Sequence, residues 1–329
     1  MSTITAPVTP STPDGQPQIR GVESVPPRML FWQRVAMVAI VTVPLLGLAA
    51  ALWFGYGNGI SGVDVGLLLG FYFFTGLGVT VGFHRLLTHK SFKAPSWLRT
   101  TLAVAGSMAV QGAAIDWVAT HRRHHAYSDQ IGDPHSPHLE PDEGVKAMLK
   151  GMWHAHVGWM LEDDATKAET WAPDLLAEPA MVKVSRAFGW LTLASFVLPA
   201  ILGGLLTMSL MGAVTGFLWG SLVRIFVLHH VTWSINSVCH VFGTRPFDSK
   251  DEARNNAPMA LIGFGEGWHN AHHAFPASAR HGLRWWEFDL SWVVIRTLAA
   301  LRIVRDVKVP SKAQIERRIT RAKAESAAS

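Results

Sequence analysis

Two long stretches of the chain carry almost no charge. Between Arg34 and Arg85 the only charged side chain is Asp64, and between Arg186 and Arg224 there is none. A helix crossing a bilayer needs about 20 predominantly apolar residues, so each stretch is long enough for a hairpin of two spans. The first predicts helices over 33–54 and 62–83, joined at GYGNGISG (55–62). The second predicts helices over 187–206 and 210–230 around a turn near 207–210. Neither turn holds a Lys or Arg; the tail and the segments 85–186 and 231–329 hold nearly all of them. The positive-inside rule then places both termini and the long middle segment in the cytoplasm. The expected fold is an all-α integral membrane protein: four transmembrane helices in two hairpins, with a cytoplasmic helical cap.

The remaining segments are read by the same pattern. TLAVAGSMAVQGAAI (101–115) is apolar but too short to cross, which predicts an interfacial or re-entrant helix. Residues 1–27 are rich in Pro, Ser and Thr without apolar periodicity, and read as a disordered tail that reaches to about residue 30. The first apolar run is too long for the core of a signal peptide. Residues 31–305 form the expected membrane domain, and 306–329, with KAQIERRITRAKAE, a charged helix or tail.

Composition sharpens this picture. Charged residues make up 16% of the 329, against about 25% in ordinary soluble domains, and the mean hydropathy is +0.20. The 14 tryptophans suit the headgroup level of a bilayer. The net charge of +5 is modest, and the expected partner is a bilayer rather than nucleic acid. A single cysteine, Cys239, excludes an internal disulfide framework and a cysteine-rich metal site.

The candidate chemistry lies in the 16 histidines. Eight fall in three boxes: HRLLTH (His84, His89), HRRHH (His121, His124, His125) and HNAHH (His269, His272, His273). Helical positions i, i+3 and i+4 share a face, so each H-x-x-H-H presents three imidazoles together. HRLLTH differs, because five residues at about 100° each leave its rings roughly 140° apart. Either the helix ends or distorts there, or the two rings approach a metal from two sides. NSVCH adds His240, with Asn236 four residues earlier as an amide or water-mediated ligand. All these segments adjoin span ends on the side assigned to the cytoplasm. Nine imidazoles exceed one ion's needs and suit two ions. Imidazole serves Zn, Cu, Fe and Ni alike, so the residues alone reach a His-rich, dinuclear metal site without choosing the metal.

The order HRLLTH, HRRHH, NSVCH, HNAHH resembles the integral-membrane fatty acid desaturases of the stearoyl-CoA (delta-9) type. The likeness runs from about Arg34 to Arg305 and includes GDPHSP (132–137), HVGWM (156–160), NSVCHVFGTRPFD (236–248) and GEGWHNAHHAFP (265–276). The resemblance implies two irons held by the nine histidines named, with Asn236 acting through a water. It implies O2 as co-substrate, removal of two hydrogens from a saturated acyl chain, and a cis double bond near carbon 9. Electrons would come from a separate donor such as ferredoxin with its reductase, or cytochrome b5. Trp117, Thr232 and Trp233 match positions lining an acyl tunnel, and Tyr72, twelve residues before His84, sits where a ring would cap it. In animal acyl-CoA members an Arg-Asp pair precedes the second box; here it is Ala119-Thr120, and Gly112 follows Gln111 where they have Asn. Acyl-CoA, acyl-lipid and acyl-carrier-protein substrates all stay open.

Other residues receive secondary readings. Asp116, Asp129, Asp133 and Glu266 are candidates to orient ligand imidazoles, since a metal-bound His donates its other N–H to an oxygen. His156, within the matching HVGW, is a further candidate of that kind. His229 and His230 read as membrane-boundary residues, and His135, His138, His154 and His281 as loop or packing histidines. Arg122 and Arg123 turn away from their box and read as solvated or lipid-facing, with an acidic redox partner as the functional option. Two other functions compete. A di-iron hydroxylase or ketolase would share the site but leave oxygen in its product. A His-rich metal transporter would place its ionisable groups near the bilayer midplane, whereas these histidines lie beyond the spans.

Overall fold

The computed structural model describes residues 19–139 and 144–319. The first hairpin is α1 (Pro27–Asn58) and α2 (Gly62–Leu77), and α2 runs without a break into a π-helical segment, Gly78–Thr88. Then come α3 (Ser96–Ser107), α4 (Ala114–Tyr127) and α5 (Val145–His156). Three short helices follow, α6 (Ala168–Trp171), α7 (Pro173–Leu176) and α8 (Pro179–Arg186). The second hairpin is α9 (Phe188–Thr207) and a rod made of α10 (Leu210–Gly216), a π-helical segment (Phe217–Val223) and α11 (Arg224–Val241). The cap closes with α12 (Ala257–Ile262), α13 (His269–Ala274) and α14 (Leu290–Ala300).

Four helices are long and apolar enough to cross a membrane: Pro27–Gly57, Gly62–Thr88, Phe188–Thr207 and Leu210–Val241. They are the four expected spans; the first begins earlier, at Pro27 rather than 33, and two others overrun the expectation at their histidine ends. The second continues past 83 to Thr88 and the fourth past 230 to Val241, so both rods reach into the cap.

The lone charges of the apolar stretches have structural partners. Asp64 is a buried capping residue: Ser61 Oγ accepts from its N–H at 3.1 Å while its carboxylate accepts from Ser61 N–H at 3.0 Å. Arg224 is fully buried, and its guanidinium donates to Ser195 Oγ (2.6 Å) and to the carbonyls of Ser195, Met108 and Gly220. A cation inside a span is tolerated where backbone oxygens surround it. Here it ties α9 to the fourth rod. The two helices of that hairpin also touch through glycine: a Cβ on Gly203 would stand 2.1 Å from Gly212 O, the small-residue contact typical of membrane helices.

The main cap core forms where α3, α4, α8 and α14 cover the π-helical end of the second span. Phe83, Leu87, Leu98, Val118, Val184 and Ile295 are buried there together. Close approach of α3 is possible because Gly78 and Gly106 meet backbone to backbone; a Cβ on Gly78 would lie 2.2 Å from Gly106 N. The apolar run 101–115 is therefore not one helix. It divides between α3 and α4 at a bend where Val110 and Gly112 take positive φ values (60° and 112°), and both halves face this core.

Part of the expected tail is ordered. Residues 22–24 pair antiparallel with residues 164–166, and Glu23 meets Lys167 at 2.9 Å. Residues 1–18 lie outside the described residues. At the other end, residues 312–319 are helical and dock rather than extend into solvent: Ile315 and Ile319 pack near Phe247 and Trp268, and Arg318 meets Asp248 at 2.9 Å.

The glycine contact gives a paired test. Gly78→Ala is expected to destabilise by about 1–3 kcal/mol through overpacking against backbone. Gly66→Ala, where an added Cβ meets nothing within 4 Å, should be neutral or stabilising by about 0.5–1 kcal/mol. Thermal unfolding of the two variants in one detergent checks the opposite signs.

Candidate metal centre

The 140° conflict within HRLLTH is resolved by the π-helix. A π ladder runs from residue i to i+5, and His89 N–H donates to His84 O at 3.1 Å. Residue 89 therefore comes round one turn beyond residue 84, and the two ring centroids stand 4.8 Å apart. Thr88 Oγ reinforces the wider turn by donating to Phe83 O at 2.8 Å. The helix distorts, and both rings face one way.

The four segments then converge. α4 carries His121, His124 and His125; the last turn of α11 carries His240; α13 carries His269, His272 and His273. Donor atoms of His84, His89, His121, His125 and His272 lie within 4.8 Å of one another, and those of His124, His240, His269 and His273 form a second such group. Each H-x-x-H-H box serves both groups: the i, i+4 pair goes to one and the remaining ring to the other.

Several ring nitrogens approach closely. His84 Nε2 and His272 Nε2 are 3.0 Å apart, His272 and His125 2.9 Å, His121 and His125 3.1 Å, and His240 and His269 3.1 Å. The buried Nε2 atoms of His89, His124 and His273 have no hydrogen-bond partner among the described residues. Facing lone pairs repel unless something positive lies between them. Two nitrogens each about 2.1 Å from one ion and at right angles would stand about 3.0 Å apart, against about 3.4 Å for a tetrahedral angle. The donor set thus fits two ions, one within each group.

Carboxylates hold the outer nitrogens. His84 Nδ1 faces Glu266 at 2.5 Å, His124 Nδ1 donates to Asp133 at 2.9 Å, His240 Nδ1 to Asp129 at 2.9 Å and His273 Nδ1 to Asp251 at 2.7 Å. With the proton on Nδ1, the Nε2 lone pair points inward, the tautomer a metal ligand requires. Burial pushes His89, His121, His125, His269 and His272 well below the ordinary histidine range, and neighbouring imidazoles push the same way. These rings are neutral donors. Burial alone would raise the Asp133 carboxyl, but His124 beside it holds it at about 2. Asp129 and Asp251 are likewise lowered against their burial, by His240 and His273.

A cavity of 1120 Å³ lies beside these groups, with His84, His121 and His269 among its lining residues. Trp117, Thr232 and Trp233, read as tunnel residues, line it, as do Asn236, read as a water-mediated ligand, and Met37 and Ile40 of α1. Trp117 stacks on His121 with centroids 4.9 Å apart, and Thr232 Oγ accepts from Gln111 at 2.9 Å. Tyr72 does not line it. Its hydroxyl donates to Ile262 O at 2.7 Å and its ring packs on Phe264, so it stands behind two residues that do form the wall.

Other expectations are corrected. Asp116 lines the cavity and bonds no imidazole of either group. His156 meets Ser237 Oγ and His230 Nδ1, at 2.9 and 3.0 Å, because α5 packs along α11 upstream of His240. Arg122 and Arg123 point inward: Arg122 donates to Leu87 O and Asp174, and Arg123, buried, to Gly132 O and Asp164. They brace α4 from behind.

Two features escaped the sequence. Asp251 sits in a loop folded back by the Thr244–Asn255 bridge, a contact without a local signal. His281, read as a packing residue, lies at the first group: its Nδ1 is 3.1 Å from Arg85 and 3.5 Å from Glu266, and its ring is 4.4 Å from His272. Fully buried Arg85 joins this corner by ion pairs to Glu266 (3.2 Å) and Asp289 (3.0 Å).

Apolar rods that deliver a buried polyhistidine site beside an apolar cavity define a membrane protein able to bind metal next to an acyl-sized ligand. The fatty acid desaturase family model matches residues 59–305. The chain belongs to that family of oxidoreductases. It is 43% identical over 275 residues to the hex-5-enoyl-[acyl-carrier protein] acetylenase of Moorena producens (strain JHB), covering 83% of this chain and 86% of that one. It is 38% identical over 277 residues to the sn-1 stearoyl-lipid 9-desaturase of Anabaena variabilis, covering 83% and 94%. It is 37% identical over 298 residues to the chloroplastic palmitoyl-monogalactosyldiacylglycerol delta-7 desaturase of Arabidopsis thaliana, covering 88% and 74%.

Asp251→Asn is expected to weaken metal binding at the four-histidine group by about 10–100-fold, the usual effect of losing a partner behind a ligand, while the five-histidine group keeps its ion. Metal analysis of the purified variant should show about half the metal per chain.

Proposed function

We propose that the protein desaturates a saturated fatty acyl chain, placing a cis double bond near carbon 9 with O2 as oxidant. Per double bond, the chain gives up two hydrogens, a carrier supplies two electrons, two protons are taken up, and O2 leaves as two waters. The observation that carries this reading is the juxtaposition of two neutral imidazole groups with one apolar cavity, in a chain of the desaturase family.

His84, His89, His121, His125 and His272 would hold one iron, and His124, His240, His269 and His273 the other, with Asn236 offering its amide to a water beside the second. Bound iron supplies O2 activation and the oxidising power that unactivated methylene C–H bonds demand. The chain's own residues do the positioning. Trp117, Thr232 and Trp233 form the wall that sets which carbons lie beside the histidines, and oriented reactions lose rate steeply with small misplacements. Glu266, Asp133, Asp129 and Asp251 keep the Nδ1 protons in place. Tyr72, standing behind Phe264 and Ile262 of the cavity wall, holds them in place and so favours a shorter chain, of about 16 carbons. The acyl chain arrives on lipid, CoA or carrier protein. Electrons come from a separate carrier such as ferredoxin or cytochrome b5. The histidine-bearing ends of the second and fourth spans belong on the cytoplasmic side of the membrane, with both termini.

Expression in a host of defined lipid composition, followed by fatty-acid analysis, tests the reaction. A new monounsaturated product without added oxygen is expected, and His124→Ala should abolish it. A hydroxylated product would replace this reading with an oxygenase. Tyr72→Ala should shift the products toward longer chains; an unchanged chain-length profile removes the depth argument.

A further inference from the structure

A cationic surface lies directly outside the five-histidine group. After Val304 the chain runs back beside residues 91–93: Lys93 and Arg305 exchange two backbone hydrogen bonds of 2.8 and 2.9 Å, and Lys308 N–H donates to Ser91 O at 2.8 Å. Ala279 N–H donates in turn to Lys308 O at 2.8 Å. These bonds gather Lys90, Lys93, Arg280, Arg305 and Lys308 on one face, and all but Arg280 are exposed.

Two carboxylates accompany them. Lys90 meets Asp174 and Lys93 meets Asp306, each at 2.8 Å, and both lysines remain more than 60% exposed. Exposed pairs of this kind hold by only about 0–1 kcal/mol, so a partner's carboxylates can displace them. Among the described residues, Arg280, Arg305 and Lys308 form no ion pair. The face is therefore net positive and open.

Its position gives it a use. Lys90 directly follows His89, whose ring stands 4.8 Å from that of His84 and 4.5 Å from that of His125, and Arg280 directly precedes His281 at the same group. An electron arriving at this face enters the five-histidine group at His89 itself. Any anion would be attracted to the charge, but a lipid headgroup has no need of a ligand ring behind it, whereas an electron carrier does.

We propose that Lys90, Lys93, Arg280, Arg305 and Lys308 form the docking surface for the electron donor, a small acidic one-electron carrier protein. The proposal rests on the desaturase reading, which needs two electrons for each double bond; the carrier docks twice in its reduced form and leaves oxidised by one electron each time. Opposite charge steers such encounters and makes their rate fall with ionic strength.

The test uses the full-length protein in neutral phosphatidylcholine nanodiscs, with a plant-type [2Fe–2S] ferredoxin as probe. Lys93→Glu combined with Lys308→Glu should weaken ferredoxin binding at least tenfold and flatten its salt dependence. In ferredoxin-driven turnover the change should appear in the KM for ferredoxin, with kcat at saturating ferredoxin retained. Unchanged ferredoxin affinity overturns the proposal. Loss of binding to phosphatidylglycerol vesicles with ferredoxin binding intact also overturns it, and gives the face to the bilayer. Product formation by the unsubstituted protein reports on the desaturase reading separately, so failure of one is distinguishable from failure of the other.

Discussion

Nine imidazoles share a small buried volume, and the surrounding cap is arranged to make that tolerable. Away from water a charged ring is costly and an unpaired nitrogen nearly as much so. Carboxylates on the outer side of His84, His124, His240 and His273 fix the protons there, and the inner nitrogens are left as lone-pair donors facing one another at 2.9–3.1 Å across several pairs. A cation placed among those lone pairs would relieve their repulsion, and binding it would then stabilise the folded cap, because ligands that must be deprotonated and gathered link metal binding to folding.

Rigid membrane helices supply the precision. The second and fourth candidate spans do not stop at the expected boundary; they carry His84 and His240 with them to the end of the rod. An ordinary α-helix would turn His89 away from His84, and the π register brings it back. The wider turn is held by Thr88 and packed beneath α3, which comes close enough only because Gly78 and Gly106 lack side chains. The local distortion and the close helix contact are one device.

Several arginines are turned inward. Arg85 binds the loops bearing Glu266, His281 and Asp289, Arg122 and Arg123 brace the helix of the second box, and Arg224 is held by carbonyls between spans. The cations gathered outside His89 keep large exposure by comparison.

Much was legible in the residues alone. Charge-free stretches of sufficient length dictate spans whatever they pack against, because backbone polar groups in hydrocarbon must bond within the helix. The i, i+3, i+4 histidine spacing commits rings to a common face for equally local reasons, and the pairing of Asp133 with His124 follows from nearby chain. What the residues could not give is how the rings are grouped, since the two H-x-x-H-H boxes divide between the groups, and HRLLTH does not, only when four remote segments meet. The register of HRLLTH was undecidable for the same reason: α and π turns differ little locally, and the packing of α3 selects between them. Asp251, His281 and the inward turn of Arg122 and Arg123 depend on loops returning from far along the chain. Periodicity carries information about an element's own faces; what each face meets is set by the folded whole.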